Sequence, residues 1–222
     1  MLLENLNKDF CESLHENSIT PISQYVRQLG QDKTLWVINL LGKYAVENVS
    51  DIIEQKNSYT LKNTGNIFSV KEISASVIQS EDFLLERAEK IQSAAKLNMT
   101  ILTPASFKND KKYMLFPSEE HILKSLIRRW NSYSEKYTIA DEDAENALIL
   151  GTKIAGYSLK SSYYELKEVK IPAFCGELRF SNKFSPPIAE LYKLIMCFAP
   201  YCGIGIKTSL GMGAVSIDFC ER

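Results

Sequence analysis

Residues 203–213, GIGIKTSLGMG, constrain this chain more than any other stretch. Four glycines in eleven positions form two Gly-x-Gly pairs around a Lys-Thr-Ser insert, between an amphipathic helical pattern and a strand pattern. Glycine adopts positive φ and lets another group approach the backbone closely. Such a loop either turns bare N–H groups toward a partner, with phosphate the natural one, or lets a helix pack tightly on a sheet. Lys207 adds a charge, and Thr208 and Ser209 add hydroxyl donors. On the phosphate reading, Gly203, Gly205, Lys207, Thr208, Ser209, Gly211 and Gly213 form the contact.

Two common nucleotide loops do not fit. A Walker A loop needs Gly-Lys-Ser/Thr in direct succession, and Ile206 separates Gly205 from Lys207. A dinucleotide fingerprint runs strand, glycines, helix, whereas the pattern here runs helix, glycines, strand.

No stretch approaches the roughly 20 apolar residues that a membrane span requires. The N-terminus lacks a basic region followed by an apolar run, so it does not read as a signal peptide; both features point to a cytoplasmic protein with no membrane partner. Cys11, Cys175, Cys197, Cys202 and Cys220 are scattered without a C-x-x-C, and neither His15 nor His121 stands at zinc spacing from a cysteine. Buried thiols in a reducing compartment, with no metal and no cofactor, are the expectation.

A formal net charge of −1 argues mildly against a general nucleic-acid binder, but the charge is unevenly spread. Residues 1–106 carry 10 basic and 13 acidic side chains, and residues 107–222 carry 16 and 14. Within 148–217 there are 8 basic residues (Lys153, Lys160, Lys167, Lys170, Arg179, Lys183, Lys193 and Lys207) against 4 acidic ones. The acidic counterweight sits in residues 141–145, DEDAE, a solvated loop or helix start. A modest basic face near the glycine loop is compatible with RNA.

Periodicity predicts a helix over 2–16, with Leu3, Leu6, Phe10 and Leu14 on one stripe. Extended segments follow at 22–29 and 34–40, a helix at 42–55, a strand at 67–79, a helix at 83–91 and a strand at 96–107. The pattern then restarts. Residues 118–133 read as a helix capped by Ser118, with Glu119 and Glu120 in its acidic first turn. Strands are expected at 147–164 and 169–180, a proline-initiated helix at 188–198, and a closing strand at 214–219. Two halves of similar size fit duplicated ferredoxin-like α+β units, divided at 107/108.

Three passages resemble the CRISPR-associated repeat-processing endoribonucleases of Cas family six, within the RAMP superfamily. The most specific is FCGELRF at 174–180, followed by a helix and YCGIGIKTSLGMGAV at 201–215. The second is LTPASF at 102–107 with LFPS at 115–118 and SLIRRWN at 125–131. The third is Leu14-His15-Glu16 with Pro21 and Ile22 following. The resemblance implies an α+β fold of two tandem ferredoxin-like (RRM-like) domains, the first lacking its N-terminal strand because the chain opens inside the helix pattern. It also implies cleavage of precursor CRISPR RNA within repeats, without metal, by attack of a 2′-hydroxyl on the adjacent phosphate to give a 2′,3′-cyclic phosphate. Repeat RNA is then the partner, and other Cas proteins of an effector complex, or a second copy of the chain, are further ones.

That chemistry needs acid–base groups and cations at the phosphorus. The match at 14–16 makes His15 the catalytic residue. Its place near a helix C-terminus beside Glu12 and Glu16 favours the imidazolium. Positions 17–20 carry Asn, Ser, Ile and Thr where many active relatives have a lysine. His121 reads as a packed or capping histidine. Arg128 and Arg129 either meet phosphates or solvate a helix face, and Lys207 is the strongest cation for RNA contact. Tyr163 and Tyr164 either stack on bases or belong to the core. Two rival readings remain, a repeat-binding scaffold subunit without chemistry and a small-molecule-binding α+β protein.

Overall fold

In the computed structural model the described residues are 2, 6, 7, 10–12, 14, 19–61, 65–78, 81–110, 112–166 and 169–220. The alternating pattern after Pro21 forms β1 (Ile22–Gln28) and β2 (Thr34–Leu40), paired antiparallel with Ile22 opposite Leu40 and Gln28 opposite Thr34. α1 (Lys43–Glu54) follows and buries Ala45 and Val49 at helical spacing. These side chains join Leu2, Phe10, Leu14 and Ile22 in a small core covered by Trp36, Ile38 and Leu40.

The predicted helix over 2–16 is shorter than expected. Leu6 and Asn7 are not helical, and the helical state appears at Phe10, Cys11, Glu12 and Leu14. Phe10 and Leu14, four apart, still supply the buried stripe. His15 and Glu16 lie outside the described residues.

β3 (Ser58–Thr60) pairs with β4 (Ile67–Ser69). The strand expected over 67–79 stops at Ser69. Beyond it Ile73 and Val77 are exposed and Ile78 reaches the main core, so alternation over 71–77 has no face to bury. α2 (Glu81–Glu89) then packs Leu84 and Ala88 inward.

The second half is one complete unit. β5 (Lys96–Ala105) is followed by the short pair β6 (Phe107–Asn109) and β7 (Lys112–Met114), and then by α3 (Glu119–Tyr133). Next come α4 (Glu142–Gly151), β8 (Thr152–Leu166), β9 (Val169–Asn182), α5 (Pro186–Cys202) and β10 (Val215–Phe219). The sheet order is β10-β5-β9-β8, with every pairing antiparallel. Leaving α4 and the short β6–β7 pair aside, the chain runs β-α-β-β-α-β, the ferredoxin-like order. Leu97, Met99 and Ile101 of β5 face Leu126, Ile127 and Trp130 of α3 and Tyr192, Ile195 and Met196 of α5 in the main core.

Two expectations change here. The strand predicted from 147 begins at Thr152, because 142–151 is helical. Asp141 Oδ1 accepts from Asp143 N–H at 3.0 Å, and Glu142, Asp143 and Glu145 fill the first turn, where the helix dipole favours carboxylates. The helix expected over 188–198 starts at Pro186 and continues to Cys202. β5, which precedes the division expected at 107/108, pairs with strands that follow it, so the larger sheet extends across that position.

The first half repeats part of the same order: helical residues near 10–14, then β1, β2, α1 and β3. Among the described residues its strands pair as two separate two-stranded sheets. It docks on the second half at defined points. Ser23 Oγ donates to Tyr201 O at 2.5 Å, and Tyr133 OH donates to Ile19 O at 3.2 Å.

Candidate nucleic-acid interface

The glycine loop divides into a base and a tip. At the base the chain leaves α5 through Gly203, whose φ is 69° and whose N–H donates to Ala199 O at 2.9 Å. Ile204 N–H donates to Gly213 O at 2.8 Å, and Gly213 N–H donates to Pro104 O at 3.0 Å. Two backbone segments therefore cross in contact. A Cβ at 213 would stand 2.0 Å from Ile204 O, and one at 203 would stand 2.9 Å from Gly213 O. Gly211, with φ 108°, closes the tip by donating to Thr208 O at 3.3 Å. Contrary to the sequence expectation, Gly203, Gly211 and Gly213 spend their amides inside the protein, and packing explains them.

At the tip, α3 holds Gly205 by both backbone groups. Gly205 N–H donates to Ser125 Oγ at 3.0 Å, and Arg129 Nη2 donates to Gly205 O at 2.8 Å. Ser125 and Arg129 are four apart, so one helical face presents both. Ile206 N–H donates to Ser106 O at 2.9 Å, and a Cβ at Gly205 would stand 2.2 Å from that same oxygen. The chain then enters the left-handed region at Lys207, φ 55° and ψ 35°.

The tip is electrically one-sided. Lys207 O accepts from Leu210 and Met212 N–H, Thr208 O from Gly211 N–H, and Ser209 O from Gln24 Nε2. Tyr164 OH donates to Leu210 O. Every carbonyl just named is occupied, while the amides of Lys207, Thr208 and Ser209 have no partner among the described residues. A loop whose acceptors are used and whose donors are free favours an anion.

That tip forms one wall of a groove of about 680 Å³. α3 contributes Glu120, His121, Lys124, Ser125, Arg128 and Arg129; β6 contributes Phe107 and Lys108; and Cys11, Leu14, Ile19 and Thr20 line the side nearest the N-terminus. Among the described residues five basic side chains (Lys108, Lys124, Arg128, Arg129 and Lys207) face it against the one carboxylate of Glu120. Glu120 is already paired with Lys124 Nζ at 2.7 Å; that bond lowers the Glu120 pKa and raises the Lys124 pKa. Arg128 and Lys207 are exposed, whereas Arg129 is buried and burial pulls its pKa down.

The structure brings together Arg128, Arg129, Gly205, Lys207, Thr208 and Ser209 of the sequence-predicted set. His15 falls outside the described residues. His121 sits at the helix start, where its N–H donates to Ser118 Oγ at 3.2 Å, its Nδ1 lies 2.6 Å from that oxygen, and its ring stacks on Phe107. Lys153 and Lys160 are exposed on β8, Lys170 pairs with Glu165 at 3.3 Å, and Lys167 lies outside the described residues. Tyr163 is exposed, but Tyr164 packs beside Ile171 and Met212 and props the loop tip, and burial raises its phenol pKa.

Sequence reasoning missed Ser125, Ser106, Gln24 and Lys108. Ser125 carried a readable signal: a hydroxyl four residues before Arg129 on the face of a helix already predicted. Gln24 and Ser106 carried none, because their partners are 185 residues away for Gln24 and in another element for Ser106.

Fold and groove define a ferredoxin-like α+β protein with a cation-lined cleft between its glycine loop and the first helix of its complete unit. A family model described as CRISPR-associated endoribonuclease Cas6 matches residues 99–215, just over half of the chain. The chain belongs to that family. A CRISPR-associated endoribonuclease Cas6 of Streptococcus thermophilus is 29% identical over 217 residues, covering 98% of this chain and 88% of the relative. The corresponding Mycobacterium tuberculosis protein is 22% identical over 226 residues, covering 98% and 69%. Among solved structures, a Cas6 product complex superposes with a TM-score of 0.84 at 17% identity, covering 98% of this chain and 90% of that one. Thermus thermophilus Cas6 gives 0.69 at 20% identity, covering 98% and 87%. These likenesses bear out the α+β ferredoxin-like expectation. Among the described residues no helix is long and apolar enough to cross a membrane.

Proposed function

We propose that this chain cleaves precursor CRISPR RNA within its repeats, without metal, by attack of a 2′-hydroxyl on the neighbouring phosphate. The products are a 2′,3′-cyclic phosphate and a 5′-hydroxyl. The observation that supports it most is the groove, where free donors at 207–209 and the cations Arg128, Arg129, Lys207 and Lys108 gather beside the segment leading to His15. RNA backbone is the polyanion that fits this lining, and the solved relatives include Cas6 product and substrate-mimic complexes. His15 serves as the acid–base group. Cys11, Leu14, Ile19 and Thr20 on either side of it in sequence belong to the groove wall. The setting is the cytoplasm.

A labelled repeat RNA incubated in EDTA tests this. We expect a single cut carrying a cyclic phosphate, abolished by a 2′-deoxy nucleotide at the cut. His15→Ala should slow it about 10²–10⁴-fold, the usual contribution of a positioned acid or base. Tight binding with no cut by the wild-type chain would instead make it a repeat-binding subunit.

A further inference from the structure

Two consecutive residues of β1 fasten the first half to the glycine loop, one at its base and one at its tip. Ser23 accepts from Asn39 Nδ2 at 3.0 Å and donates its own proton to Tyr201 O at 2.5 Å, in the last turn of α5. Gln24 Oε1 accepts from Trp36 Nε1 at 2.8 Å, and Gln24 Nε2 donates to Ser209 O at 2.5 Å. Asn39 stands directly opposite Ser23 in the β1–β2 pair, and Trp36 is diagonal to Gln24. Successive strand residues point to opposite faces, so the two relays leave β1 on different sides. Their direction is fixed by the groups at each end. An indole nitrogen only donates and a main-chain carbonyl only accepts, so Gln24 must turn its oxygen to Trp36 and its nitrogen to Ser209. Trp36 is itself held, packed on the core of the first half and edge-on to Tyr59 with ring centroids 5.0 Å apart. One relay therefore runs from a packed ring to the carbonyl of buried Ser209.

We propose that Gln24 is a positioning residue for cleavage: oriented by Trp36, it sets the tip of the glycine loop against the half of the chain that carries the acid–base group. The Ser23 relay anchors the base, and Gln24 sets the tip. This step rests on the functional reading above. The groove takes one wall from the loop tip and another from Leu14, Ile19 and Thr20 of the first half, and His15 belongs to that half in sequence. Gln24 stands outside the groove lining, so its effect passes through the loop. Grip on the RNA is spread over several cations and survives a small shift of one wall. Attack at phosphorus depends on how the two walls stand to each other, and a misplacement of about 1 Å costs about 10²-fold in rate. The relay therefore governs the rate of the bound complex more than its affinity.

The full chain is assayed as wild type, Gln24→Met, Trp36→Phe and the double variant. Single-turnover cleavage is followed at saturating repeat RNA, and affinity is measured for the same RNA blocked at the cut by a 2′-deoxy nucleotide. Gln24→Met keeps the side-chain length without either hydrogen bond. It should slow cleavage about 10–100-fold, while affinity falls by less than about threefold. Trp36→Phe removes the N–H that orients the amide and should slow cleavage about 3–10-fold, the worth of one hydrogen bond. The double variant should be no slower than Gln24→Met, since both changes act through one relay. A saturated rate in Gln24→Met equal to that of wild type, whatever its Tm, overturns the proposal. So does a loss of affinity as large as the loss of rate, or a double variant slowed by the product of the two single effects. If Gln24→Met does not fold, the same split between rate and affinity in Trp36→Phe decides. A wild-type chain that binds the RNA and leaves it uncut removes the functional reading, and the positioning role with it. A wild-type chain that cuts, with both variants cutting equally fast, removes the positioning role alone.

Discussion

Base and tip of the glycine loop contain the same residue type for different reasons. At the base, Gly203 and Gly213 lie where two backbone segments cross with no room for a side chain, and their N–H groups feed Ala199 and Pro104. At the tip, Gly205 is gripped by Ser125 and Arg129, and the amides of Lys207, Thr208 and Ser209 have no partner among the described residues. Glycine spacing alone therefore does not identify a ligand loop. What separates the regions is where the carbonyls and amides go. The base uses both internally, and the tip uses its carbonyls and leaves donors over.

Gly213→Ala gives the widest separation. The added Cβ would meet Ile204 O at 2.0 Å in a backbone with φ 69°. Neither crossing segment has a flexible end to yield, so a loss of about 4 kcal/mol or more is expected. Thermal melting reads it directly. A variant that melts like wild type yet loses RNA would show that the base meets the ligand after all, and the division between base and tip would fail.

Much of this was legible in the sequence, and what was not has physical causes. Alternation at 22–28 and 34–40 and the apolar stripe of 119–133 gave elements close to those observed, since each rests on a period the residues display. The helix at 142–151 was only half visible: the acidic run at 141–145 read as a solvated loop or helix start, but Leu148 and Ile149 run into the β-branched and aromatic residues of β8 and read as strand. The loop's chemistry was half visible. Lys207, Thr208 and Ser209 are local, but the partners that aim the loop (Gln24, Ser106, Ser125 and Tyr164) come from β1, the β5–β6 junction, α3 and β8. Arg129 was legible as a cation on α3. Its burial, without a carboxylate beside it among the described residues, was not, because that depends on what packs against the helix.

Ser125→Ala probes the clamp at intermediate size. It leaves Gly205 N–H without its acceptor in a half-buried place. A cost of about 1–3 kcal/mol is expected for an orphaned donor, together with weaker RNA binding as the tip loses its hold. Cost in stability without any effect on RNA would make the Ser125 bond a part of the base rather than of the tip.

The smallest effect carries the sharpest contrast, because its two readouts move in opposite directions. Lys207 is a non-glycine residue in the left-handed region, φ 55°, where an L side chain costs about 1–2 kcal/mol. A loop rich in glycine could have placed one there. Lys207→Gly should therefore keep or raise the Tm by a modest amount, since it relieves that strain. RNA affinity should fall nonetheless. The slope of log affinity against log salt should drop by about 0.7–0.9, the equivalent of one phosphate contact. A variant that gains stability and binds RNA with an unaltered salt slope would mean that Lys207 touches no phosphate, and the donors of the tip would then act without it.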